Sequence, residues 1–241
     1  MSKELDKVKA LTISGAIRPE DHGRLLTKLT DGIDSDYSKA DKARGFISNA
    51  NFSPKHFSDL SKGKYGKVAK NMILRNKNLP SEHLDDNVYL DKIKVGSVLR
   101  HPNLTEAHIN HLIKTIDNSD DARIMATNPN LHANHLRKLY NGPAKDYNHV
   151  ISTILGHKNV PVDVLDDAIK DYRLKEDVIG SPNHTREHLE KAMKMPGNGG
   201  RQFIRAAINS QHIRKPELEH YAENDSGGLG EFAKERLKNF K

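Results

Sequence analysis

Asn128-Pro129-Asn130-Leu131-His132-Ala133-Asn134-His135-Leu136 and His101-Pro102-Asn103-Leu104-Thr105-Glu106-Ala107-His108-Ile109 are two copies of one polar phrase that leads into an apolar run. Further copies begin at Asn49, Asn76, His157, Ser181 and Asn209. Their third positions, Asn51, Asn78, Asn103, Asn130, Asn159, Asn183 and Gln211, are spaced by 27, 25, 27, 29, 24 and 28 residues. Self-similarity at such a period marks stacked supersecondary units, each burying its apolar face against the next. The chain is therefore expected to be an all-α solenoid of about seven two-helix repeats of 24–29 residues. It is read as a single domain over 1–241, with a cap and degenerate first repeat at 1–45, repeats at 46–211 and a C-terminal cap helix within 212–241.

Each copy carries its own start signal. Two residues after the Asn stand Ser53, Pro80, Thr105, Pro161 or Thr185; Ser and Thr cap free amides, and Pro has no amide to satisfy in a first turn. Apolar residues then follow at helical spacing, as in Leu104, Ile109, Leu112, Ile113 and Ile116, which predicts one buried face. A second helix is expected after a polar turn, over 67–74, 93–99, 122–126, 149–155 and 203–208. Pro102, Pro129 and Pro182 end it, because proline disfavours helical geometry in the residue before it.

Composition narrows the function. The hydrophobic fraction is 35% with no Trp, so the core is expected to be thin and built mainly from Leu, Ile, Val and Ala. The net charge of +7 biases the chain toward polyanions, either nucleic acid or an acidic protein face. Zero cysteine excludes disulfides, thiolate metal sites and cysteine nucleophiles. With no signal-like run at Met1-Ser2-Lys3-Glu4-Leu5-Asp6 and no apolar window of spanning length, no membrane contact and a cytoplasmic location are expected.

The stretch Asp120-Asp121-Ala122-Arg123-Ile124-Met125-Ala126-Thr127-Asn128-Pro129-Asn130-Leu131 resembles the leucine-rich repeat variant family in its acidic turn, Arg, short apolar run and Asn-Pro-Asn. The similarity extends with decay over residues 14 to 215. It implies alternating α and short 3₁₀ helices in a right-handed superhelix. The units here are longer than that family's, so a HEAT-like pair of α-helices stands as the alternative. The iron-sulfur segment of some family members has no counterpart, since its cysteine ligands are missing.

A histidine recurs five residues after the repeat Asn, at His56, His83, His108, His135 and His188. Neighbouring repeats lie about 10 Å apart by helix packing, whereas nitrogens sharing one zinc each lie about 2 Å from it. The row is therefore expected to be structural. The pairs His108 with His111 and His132 with His135 offer two nitrogens each and no third ligand, so no metal and no cofactor is expected. The repeat asparagines are expected to satisfy backbone groups at a tight turn and to fix the register between units.

Cations around the turn between paired helices carry the functional reading. Lys64, Lys67, Lys92, Lys94, Lys138, Lys170, Arg173 and Arg201 are expected to line one edge of the solenoid. Six units would make a stripe of roughly 60 Å, the length of about 18 base pairs. The segment Met195-Pro196-Gly197-Asn198-Gly199-Gly200-Arg201 adds a second phosphate candidate, although it lacks the Gly-Lys-Ser/Thr ending of a P-loop. No catalytic constellation stands out. The expectation is a non-enzymatic binding protein that contacts nucleic-acid phosphates, with a scaffold for an acidic protein partner as the alternative. A HEAT-like DNA glycosylase is a third reading, weakened by the lack of Trp for base stacking.

Overall fold

The computed structural model describes residues 21–33, 37–85, 88–89, 96–142, 145–195, 200–224 and 228–240. Among them the chain is helical and contains no strand. It divides into two compact units, Met1–Thr115 with Asn128–Asn130, and Ile116–Thr127 with Leu131–Lys241. Of the cap and degenerate first repeat expected at 1–45, residues 1–20 and 34–36 lie outside the described residues, as does the start of the expected helix at 93.

The first unit holds α1 (His22–Thr30), α2 (Tyr37–Ile47), α3 (Pro54–Ser61), α4 (Lys67–Ile73), a 3₁₀ turn (Ser81–His83), α5 (Gly96–Leu99) and α6 (Glu106–Thr115). The second holds α7 (Ser119–Ala126), α8 (Ala133–Asn141), α9 (Asn148–Leu155), α10 (Val162–Ala168), a 3₁₀ turn (Tyr172–Leu174), α11 (Lys175–Gly180), α12 (Arg186–Lys194), α13 (Arg201–Asn209), α14 (Lys215–Asn224) and α15 (Gly228–Lys238). The expected second helices appear as α4, α5, α7, α9 and α13. The partners in each pair are α with α in most copies, because 24–29 residues leave room for two helical runs and two turns. A 3₁₀ turn replaces the first helix only at Ser81–His83 among the described residues.

One hydrogen-bond pattern defines the turn into the copies from Asn76 onward. The first residue's side chain accepts the N–H two residues on, from Asn78 to Asn76 Oδ1 at 2.9 Å, from Asn103 to His101 Nδ1 at 3.1 Å and from Asn130 to Asn128 Oδ1 at 2.9 Å. Asn159 donates in the same way to His157 Nδ1 at 3.1 Å and His212 to Ser210 Oγ at 3.1 Å. The third residue's side chain then reaches the turn of the preceding copy. Asn103 Nδ2 donates to Lys77 O and Leu79 O at 2.9 and 2.8 Å, and Asn183 Nδ2 to Lys158 O and Val160 O at 3.0 and 2.8 Å. The last copy corrects the alignment by one residue. Ser210 and His212, not Asn209 and Gln211, fill its first and third places, since His212 Nε2 bonds His184 O at 2.9 Å as the asparagines do elsewhere.

At His108, His135 and His188 the recurring histidine closes a capping box from inside the helix. His108 Nδ1 accepts the N–H of Thr105 at 3.3 Å while Thr105 Oγ1 accepts that of His108 at 3.2 Å. His188 and Thr185 repeat the exchange at 3.0 and 3.4 Å. Such a box satisfies two otherwise unpaired amides at a helix start. With Nδ1 accepting, Nε2 carries the proton. It points to a carboxylate at the same place in the preceding copy, Asp85 at 2.7 Å from His108 and Asp166 at 3.1 Å from His188.

Aliphatic residues fill the second unit's core, among them Leu136, Leu139, Ile154, Leu165, Val178 and Leu189, all fully buried. There α7 packs on α9, α9 on α11, α11 on α13 and α13 on α15. The first unit departs from the aliphatic expectation. Phe46, Phe52 and Phe57 meet edge to face at 5.3 and 5.7 Å, with the His22 ring 5.1 Å from Phe52, an arrangement that aromatic quadrupoles favour.

Candidate binding surface

The eight sequence-predicted cations fall into separate settings. In the first unit Lys64 stands in the turn between α3 and α4, where Gly63 and Gly66 adopt φ of 79° and 90°, a region that side-chain-bearing residues avoid. Its Nζ pairs with Asp59 at 2.8 Å. That hydrogen bond lowers the Asp59 pKa and raises that of Lys64. Lys67 opens α4 and is exposed. Lys92 and Lys94 lie outside the described residues.

In the second unit Lys138 is exposed on α8, and Arg201 is exposed as the first residue of α13. Lys170 follows α10 and pairs with Asp167 at 2.9 Å, while Arg173, in the 3₁₀ turn, pairs with Asp171 at 2.6 Å. Each carboxylate is held below its ordinary pKa chiefly by the hydrogen bond from its cation. These are exposed pairs, whose attraction solvent and salt screen. A competing anion therefore meets little resistance.

Lys170 and Arg173 share a groove of about 690 Å³ with Lys145 and Tyr140. Tyr140 donates its hydroxyl to Asp167 at 3.1 Å. Burial and then the Asp167 charge push its pKa up to about 12, so it stays a neutral donor. Tyr172 lines the same groove with a ring 60% exposed. Tyr172 was missed by the sequence reading. Its signal was an aromatic between Asp171 and Arg173, in the polar stretch after α10, where no core position calls for a ring. Arg201 does not join this groove; it lines a second cleft with Gln202, Arg205 and Phe232.

The glycine-rich phosphate candidate is described only at its ends, since residues 196 to 199 lie outside the described residues. Among the described residues no three His, Asp or Glu side chains come together as metal ligands, and no helix is long and apolar enough to cross a membrane. No known family model matches the chain, and neither a curated protein nor a solved structure does.

Proposed function

We propose that this protein is a non-enzymatic binding solenoid whose ligand is nucleic acid, held through its phosphates and favouring single strands. The observation that carries the reading is the convergence of Lys145, Lys170 and Arg173 on one groove beside the exposed Tyr172 ring. A cationic groove tracks the backbone and an exposed aromatic offers any base a stacking face. The net charge of +7 supports it from long range. The solenoid part is supported by the packing order of α7, α9, α11, α13 and α15 and by the recurring bond between successive turns.

The test is fluorescence anisotropy with labelled single-stranded and duplex oligonucleotides of unrelated sequence at several salt concentrations. The logarithm of affinity should fall linearly with that of salt, and K170Q/R173Q should make the single-strand slope shallower by about 0.7 per lost contact. Tyr172→Ala should weaken single-strand binding by about 1–3 kcal/mol and duplex binding much less. Absence of binding at low salt to either form would sink the proposal. One observation favours a protein scaffold as the second reading: Lys64, Lys170 and Arg173 are each matched by a carboxylate of the chain itself, leaving a surface of alternating sign. Capture of a protein from source cells that persists after nuclease treatment would select that reading.

A further inference from the structure

A second cleft, between α13 and α15, differs from the groove in its charge balance. Arg201 and Arg205 stand one helical turn apart on α13, which puts both guanidiniums on one face. Both are exposed and both line a cleft of about 410 Å³ with Gln202, Gly228, Leu229 and Phe232. No carboxylate among the described residues pairs with either, as is true of Arg123 and Arg236 of the same unit, whereas Arg137, Arg173, Arg186 and Arg214 each have one. The acidic residue of α15 nearest in sequence to the cleft, Glu231, is taken by Lys234 at 2.7 Å. The guanidinium of Arg205 lies 5.7 Å from the centre of the Phe232 ring, a cation–π contact that holds it in place before any ligand arrives. A Cβ on Gly200 would lie 3.7 Å from Glu176 Oε1, so the amide end of α13 already has a carboxylate beside it. The two side chains are what is left unmatched.

We propose that this cleft is a binding site for a phosphate monoester of nucleotide size. Two guanidiniums with no carboxylate partner among the described residues match the charge of about −1.5 to −2 that a monoester carries at neutral pH, where a phosphodiester carries only one. Forked N–H donors suit its oxygens, and Gln202 adds an amide donor. Leu229 and Phe232 supply an apolar wall for the carrier group, and the volume lies within the roughly 300–1,000 Å³ of small-molecule pockets. The site is independent of the Lys170 groove, so either reading stands or falls without the other.

The experiment is NMR titration of the full isotope-labelled chain with inorganic phosphate, AMP and adenosine in turn. Phosphate and AMP should give saturable shifts at Arg201 to Arg205 and Gly228 to Phe232, and adenosine should give none there. AMP should bind about tenfold tighter than phosphate because the carrier is read as well, and equal affinities would overturn the nucleotide-sized ligand. R205Q should weaken binding about tenfold and R201Q/R205Q should abolish it, with an unchanged helical spectrum, since both side chains are exposed. K170Q/R173Q should leave it untouched. The proposal is overturned if neither anion shifts these resonances in the wild type, or if the shifts survive in R201Q/R205Q.

Discussion

Asn, His and Ser alternate at the head of the copies because the place demands one acceptor for the N–H two residues on, and each supplies it from a different atom. Asn76, Asn128, His101, His157 and Ser210 all do so. They differ in what acid does to them. His101 is buried, and its second nitrogen, Nε2, meets Asn76 O at 3.0 Å; burial lowers its pKa, as it does that of His184. A group with a folded pKa below its unfolded value lends stability that is complete above the unfolded value and lost as pH falls through the folded one. Thermal melting should therefore decline as pH drops below about 6.5. In H101N this part of the decline should vanish, with stability at neutral pH changed by less than about 1 kcal/mol, because Asn fills the same place at 76 and 128. A pH profile of H101N that overlays the wild type would refute the assignment. Replacing Asn103 by Ala removes the donor to two carbonyls of the preceding turn and should cost about 1–3 kcal/mol in urea unfolding.

Helix starts are the level at which the recurring histidine acts. It takes the place that Glu holds in the usual capping box, and one copy shows the exchange directly. Glu217 accepts the N–H of Arg214 at 2.8 Å at the head of α14 and also holds Arg186, whose NH1 lies 2.6 Å away. The Arg186 hydrogen bond holds the Glu217 carboxyl below its ordinary value. Its stabilisation is present above pH 4.5 and is lost as pH falls through the lowered folded value, a second acid step below that of the histidines. Glu217→Ala removes a cap and leaves the half-buried Arg186 with less compensation, so it should lower stability by about 2–3 kcal/mol. Thr185→Ala removes one half of a box and should cost about 0.5–2 kcal/mol. If E217A is no more damaging than T185A in denaturant melts, the ion pair adds nothing beyond the cap.

At the scale of the whole molecule, each unit rests on side chains that meet neighbours from adjacent copies, so damage should spread locally. Ile154 of α9 is fully buried, and α9 packs on both α7 and α11. Ile154→Ala should cost about 2–5 kcal/mol. Hydrogen exchange should show protection lost most in α7, α9 and α11 and least in α15, as nearest-neighbour coupling requires. Uniform loss across the second unit would instead mean one cooperative core.

Periodicity alone was enough to read helical class, the positions of most helices and the structural role of the asparagines, because these depend on local spacing and on the needs of a turn's own backbone. The expected structural role of the histidine row holds at His108, His135 and His188, each of which caps its own helix. Tertiary structure decided everything that depends on which groups meet across a distance in sequence. It set the last copy one residue later, since the bonds from His212 to Ser210 Oγ and to His184 O distinguish the two alignments. It placed a phenylalanine cluster in a core expected to be aliphatic, because three Phe residues in a basic, polar stretch reveal no common face until the helices pack. It separated the predicted cations as well. Lys64, Lys170 and Arg173 carry carboxylate partners while Arg201 shares a cleft with Arg205 and Phe232. Charge is written in the sequence, but the compensation of charge is a matter of distances, and distances between copies exist only in the folded chain.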